Sequence, residues 1–238
     1  MQLNRREILT ALAVGGSAAL LASKGVAAED AKAAGAGKHA LARLPFDPKK
    51  LKGLSERLIA SHHENNYGGA VKNLNKVEEE LARANKDTPG FILGGLKERE
   101  LVFTNSVILH ELYFGNLGAG QTANGAVQKA IGDTLGGFGR WEELFRATGM
   151  SLAGGSGWVI LDLNLHTGAL GTYWSGNHSQ SLAFGQPLLV MDMYEHAYQM
   201  DYGAAAAKYI DAFFANIRWD EVNRRFERAQ RAAAALRS

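Results

Sequence analysis

Gly157-Trp158-Val159-Ile160-Leu161-Asp162-Leu163 is a short apolar run, interrupted by one acid and rich in β-branched side chains, and it predicts a strand. Beyond it, His166-Thr167-Gly168 fits a hairpin turn and Leu170-Gly171-Thr172-Tyr173-Trp174 the returning strand. Pro187-Leu188-Leu189-Val190-Met191-Asp192 is a third strand, apolar on both faces. Helical patterns from about Ala204 to Ile217 and from Asp220 to Leu236 close the chain. On the N-terminal side of Gly154 the periodicity is helical throughout. Leu51, Leu54, Leu58, Ile59, His62, Ala70, Leu74, Val77 and Leu81 share one stripe at three-to-four spacing, with Gly68-Gly69 expected to break or bend it. After the turn Asp87-Thr88-Pro89-Gly90, a second helix is predicted from about Glu98 to Asn116, with Val102, Phe103, Ser106, Leu109, His110 and Tyr113 on one face. Two shorter helices follow, from Gly125 to Gly132 and from Arg140 to Thr148. The fold class expected is α+β: an N-terminal helical hairpin half, then a half with a three-stranded antiparallel sheet and helices.

The first residues carry an address rather than a fold. Arg5-Arg6, the weakly apolar run Ile8 to Ala22, and the small-residue stretch Val26-Ala27-Ala28 have the layout of a secretory signal. The paired arginines resemble the twin-arginine export signal, which implies a periplasmic or extracellular protein. A membrane anchor is the alternative, but Ile8 to Ala22 is shorter than the roughly 20 residues a spanning helix needs. The organisation expected is a signal over 1–28, a flexible leader over 29–43, a helical half over 44–125 and an α+β half over 126–238.

Composition narrows the chemistry. The 238 residues are 46% hydrophobic and 21% charged, enough apolar content for a packed core. The formal charge is +2, and removal of residues 1–28 leaves 23 basic and 23 acidic side chains, a neutral mature chain. No broad basic patch points to nucleic acid or to a membrane surface; Arg224-Arg225 and the Arg228, Arg231 spacing read as a solvated helix face. With no cysteine, there is no disulfide, thiolate ligand or cysteine nucleophile, so any metal is held by His, Asp or Glu.

Asp192-Met193-Tyr194-Glu195-His196 is the segment with most chemistry: an acid ends a buried strand, and a histidine follows four residues later as the chain turns. His62 and His110 each lie on the apolar stripe of a helix, where an imidazole without a partner is costly. A lone histidine on such a face is more often a hydrogen-bonded core residue than a ligand. Spacing alone does not bring the four to one point.

The chain resembles the iron/manganese superoxide dismutase family from about Leu44 to Phe226. Asp192-Met193-Tyr194-Glu195-His196-Ala197-Tyr198 matches the D-x-W-E-H-A-Y signature with Tyr for Trp. Gly155-Ser156-Gly157-Trp158 matches G-S-G-W, and Val71-Lys72-Asn73-Leu74-Asn75 matches the end of the first long helix. Counting back from that segment places the first ligand on His62 rather than on adjacent His63. His110 with Tyr113 matches the second ligand and its aromatic neighbour, and Asn216-Ile217-Arg218-Trp219 resembles the family's V-N-W. The resemblance implies one Fe or Mn ion per subunit on His62, His110, Asp192 and His196, walled by Trp158, Tyr194 and Tyr113. It also implies disproportionation of superoxide to O₂ and H₂O₂, and a homodimer in which Glu195 bridges to the partner's metal-ligating histidine.

The surroundings of that site depart from the family. Its solvent-binding Gln is expected four residues before the second ligand or just before G-S-G-W, positions held by Ser106 and Gly154. The gateway Tyr falls on Ala70, and the funnel His and Tyr on Asn66 and Gln199; Tyr67, one turn from Ala70, is the candidate proton donor in their place. Two other functions compete: a metal-binding protein of this fold without dismutation, carrying Zn, and a metal-dependent hydrolase. His166 in the hairpin turn and His178 in a loop are read as solvated, and His39 lies in the leader.

Overall fold

The computed structural model describes residues 37–237. Both export-signal features and the expected cleavage point lie outside the described residues. Among the described residues no helix is long and apolar enough to cross a membrane.

The helical half is a hairpin. Helix α1 (Glu56–Ser61) opens on Ser55, whose hydroxyl accepts the Leu58 amide at 3.0 Å and is itself held by Asp201 at 2.7 Å. It runs without interruption into a π turn, His62–Tyr67, and then into α2 (Gly68–Arg83). The irregularity expected at Gly68-Gly69 thus falls one turn earlier: the Gly68 amide reaches back five residues to the His63 carbonyl, and the glycines themselves begin a regular helix. Helix α3 (Gly90–Gly115) returns alongside α2. It begins directly after Pro89, eight residues before the predicted start at Glu98. Phe91, Ile92 and Leu93 in its first turn are exposed, so this part of the helix carries no buried stripe to be read from the sequence.

Helices α4 (Gly125–Thr134) and α5 (Phe138–Met150) lead into the sheet β1 (Trp158–Asn164), β2 (Leu170–Ser175) and β3 (Gly185–Asp192). The strand order is β2-β1-β3, antiparallel throughout, as the α+β expectation requires. The central strand β1 is buried from Trp158 to Leu163, because it has neighbours on both edges and helices against its side chains. Helices α6 (Ala206–Ala215) and α7 (Trp219–Arg237) complete the domain.

Two expectations need correction. Arg225 is not on a solvated face: it is 8% exposed, pairs with Glu221 at 2.8 Å and donates to the Leu188 and Leu112 carbonyls, tying α7 to β3 and α3. Nor is the leader free over its described part. Asn75 on α2 clasps the His39 backbone in both directions, at 2.8 and 2.9 Å. Glu78 accepts the Gly37 amide and meets the His39 ring, and His63 Nε2 lies 2.8 Å from the Ala42 carbonyl. The segment has no apolar periodicity, so a polar strap of this kind leaves no mark in a hydrophobic pattern.

Candidate metal centre

The register of the sheet sets the site. Trp158, the first residue of β1, pairs with Asp192 at the end of β3 on one side and with Ser175 at the end of β2 on the other. Asp192 is fully buried, and its carboxylate points at the helical hairpin. The π turn delivers His62 there and α3 delivers His110; His196 arrives from the 3-10 turn Glu195–Ala197, four residues after Asp192.

The four side chains converge. Asp192 Oδ2 lies 3.1 Å from His62 Nε2, 3.3 Å from His196 Nε2 and 3.7 Å from His110 Nε2, and one donor atom from each residue falls within 4.8 Å of all the others. These short separations are not simply hydrogen bonds. His62 Nε2 and His110 Nε2 are buried with no hydrogen-bond partner, an arrangement that is expensive unless a third body sits between them. A cation there would be held by His62, His110, Asp192 and His196, one donor atom from each. His63, by contrast, turns its ring to the Ala42 carbonyl, so it is His62 that joins the cluster.

Neighbouring groups prepare each donor. His110 Nδ1 lies 2.7 Å from the Ser106 carbonyl and donates to it, which leaves Nε2 unprotonated and facing the cluster. Asp192 Oδ1 accepts the Tyr194 amide at 2.8 Å, so Oδ2 is the oxygen turned inward, and the Asp192 carbonyl takes the Tyr209 hydroxyl at 2.6 Å. Burial lowers the pKa of His62 and brings that of His110 to about 3, holding both rings neutral and ligand-ready. Burial pushes Asp192 the other way, but His196 and His62 outweigh it and hold the carboxyl well below its usual range.

Aromatic rings wall the cluster. Trp158 meets His110 edge-on at 5.1 Å, Tyr113 lies against His62 at 5.2 Å, and Tyr194 stacks on His196 at 5.3 Å. Glu195 is exposed beside His196, whose ring is the one ligand with appreciable exposure, 25%.

Of the substituted positions, Ser106 meets His110 Nδ1 most closely through its carbonyl, at 2.7 Å, with its hydroxyl at 3.4 Å, and Gly154 is exposed; Ala70 is buried in α2. Asn66 is partly buried and Gln199 exposed. Tyr67, the candidate proton donor, lies beside the cluster with its hydroxyl engaged elsewhere. Its ring stacks on His110 at 6.1 Å, but its hydroxyl donates to Glu111 at 2.7 Å and accepts the Ala42 amide at 3.1 Å, and burial raises its pKa to about 12. The proton is committed to Glu111.

His178 is the residue that reading the chain missed. It is partly buried, not solvated. Its Nδ1 accepts the Trp158 indole N–H at 3.0 Å, its ring stacks on Tyr194 at 4.7 Å with 9° between planes, and Asn105 on α3 holds its carbonyl at 2.7 Å. Burial lowers its pKa. Its placement follows from strand register: with Ser175 and Asp192 both opposite Trp158, the loop leaving β2 starts beside the site, which the segment's own sequence does not signal.

Comparison with known proteins agrees with this geometry. A family model described as iron/manganese superoxide dismutases, C-terminal domain, matches residues 123–225. A superoxide dismutase [Fe] of Cupriavidus metallidurans is 52% identical over 189 residues, covering 79% of this chain and 96% of that protein. A superoxide dismutase [Fe] of Aquifex pyrophilus is 38% identical over 202 residues, 80% of this chain and 92% of that protein. A superoxide dismutase [Mn] 1 of Halobacterium salinarum is 31% identical over 196 residues, 80% of this chain and 96% of that protein.

Proposed function

The chain belongs to the iron/manganese superoxide dismutase family, and from that premise we propose that it disproportionates superoxide to O₂ and H₂O₂ at one Fe or Mn ion per subunit. The observation that carries this is the convergence of His62, His110, Asp192 and His196 with orphaned, inward-facing nitrogens. Three imidazoles and one carboxylate are borderline and hard donors of the kind that suit Mn and Fe. When bound, the ion supplies a one-electron couple that can take an electron from one superoxide and return one to the next.

The protein's part is to fix donors, exclude water and hold a proton. Asp192 supplies the single negative charge of the set, and the neutral imidazoles of His62 and His110 add none. Trp158 and Tyr113, both buried, keep bulk water from the cluster. His178 serves where a Gln is missing at Ser106 and Gly154. Because its Nδ1 accepts from Trp158, a neutral His178 carries its proton on Nε2, and the stacked Tyr194 fixes the ring's plane. It is thus a pre-oriented N–H donor at the edge of the cluster.

Elemental analysis of the purified protein, with superoxide turnover expressed per bound metal, tests this reading. Fe or Mn with turnover supports it; Fe or Mn without turnover ends it, and zinc alone favours the non-redox alternative. Export and dimerisation belong to the same proposal. Arg5-Arg6 and the apolar run after them support twin-arginine export to the periplasm; replacing both arginines by lysine should keep the protein in the cytoplasm on cell fractionation. Exposed Glu195 beside the partly open His196 supports a homodimer closing over that face, and Glu195→Ala should shift the species seen by size-exclusion chromatography with light scattering toward monomer.

A further inference from the structure

A second cleft, with a volume of about 580 Å³, opens between the middle of α3 and the face of the sheet. Ile108, Ile160 and Leu182 supply apolar wall, Ser175 a hydroxyl, and Trp174 stands at the mouth with 53% of its surface exposed. Inside is Asp162. It is 3% exposed, and its Oδ1 has no hydrogen-bond partner.

The strand geometry leaves this carboxyl unanswered. Asp162 sits at the irregularity in the β1–β3 pairing, opposite Gly171 on β2 and Pro187 on β3. The first has no side chain and the second neither a side-chain donor nor an N–H. Space is kept for the group as well: a Cβ on Gly185 would lie 2.6 Å from Asp162 Oδ2. Only the Gln186 backbone amide works to stabilise the charge, and burial raises the pKa to about 7. Among the described residues, none that lines the cleft carries a positive charge. Oδ1, a buried carboxyl oxygen without a donor and kept at a cost of folding stability, is an acceptor awaiting a partner from outside.

We propose that this cleft is a binding site for a protonated primary amine with an apolar body, the ammonium on Asp162 and the body along Ile108, Leu182 and Trp174. An ammonium supplies both the missing N–H donor and the counter-charge. The half-exposed indole offers a π face to the same cation as it enters, and the volume is that of an ordinary small-ligand pocket. Nothing in dismutation uses Asp162, so the site is independent of the proposed activity.

The test is isothermal titration of the metal-loaded full-length protein with phenethylamine, 2-phenylethanol and 3-phenylpropionate. Phenethylamine is expected to bind saturably at one site, about tenfold or more tighter than the isosteric alcohol, with no binding of the acid. Asp162→Asn should weaken the amine about tenfold while leaving the alcohol unchanged, and Trp174→Ala, at an exposed position that does not endanger the fold, should weaken both ligands severalfold. Absence of saturable amine binding, equal binding of amine and alcohol, or unchanged amine affinity in either variant overturns the proposal. The wild-type amine-against-alcohol comparison and Trp174→Ala decide the matter even if Asp162→Asn does not fold.

Discussion

Two aspartates are buried on the same sheet, and they behave as opposites. Asp192 closes β3 with no exposed surface, and Asp162 lies in β1 with 3% exposed. Burial alone pushes both carboxyls toward the protonated form. Around Asp192, the imidazoles of His196 and His62 reverse that push and hold the carboxyl well below its usual range. Around Asp162 the facing residues are a glycine and a proline, and the push prevails. Depth therefore does not decide what a buried acid is for; the donors around it do.

The largest effect expected from breaking the contrast is at Asp192. Asp192→Ala should remove the bound metal and all turnover, read by elemental analysis, because the donor set loses its only carboxylate. Next is His178, which touches the site only through its neighbours. His178→Ala should lower turnover per bound metal by about 10–100-fold and shift the midpoint potential of the bound ion, while His178→Gln restores most of both.

Asp162→Asn sharpens the contrast by stability. The folded carboxyl keeps its proton up to about pH 7, whereas in the unfolded chain it releases it near the ordinary value of 3.8. Stability therefore falls as pH rises through this interval and the loss is complete above it. The Asn variant lacks that slope: it should be more stable than wild type by on the order of 2 kcal/mol at pH 8 in urea melts, and nearly equal to it at pH 4. The smallest effect belongs to Ser106→Ala. His110 is held by the Ser106 carbonyl, so metal content should be unchanged and stability should move by only about 0.5 kcal/mol in the same melts.

Much of this was legible in the chain, and the gaps have physical causes. The strands were visible because β1 and β3 are buried along most of their lengths and hydrophobicity reports burial directly. The four ligands were legible through motif order, with His62 and His110 marked as imidazoles on apolar stripes. The first turns of α3 were not, since exposed Phe91, Ile92 and Leu93 have no inward face to reveal. The strap from Gly37 to Ala42 is held by backbone amides and polar side chains, which leave no periodic trace. His178 was lost for a different reason: a loop residue's surroundings are set by strand register, and register is a property of pairs of segments. The position of Tyr67 on the helix is legible in the chain, but its hydroxyl bond, to a residue 44 places away, is not.

The π turn at His62–Tyr67 works as a rotation built into the first arm of the hairpin. Such a turn is what an α-helix becomes when it absorbs one extra residue without breaking. Removing a residue from this turn would let α1 and α2 fuse into one regular helix, with α1 rotated by about 100° relative to α2 and the ring of His62 swung away from Asp192. The surplus residue is thus neutral for making a helix and decisive for aiming one imidazole.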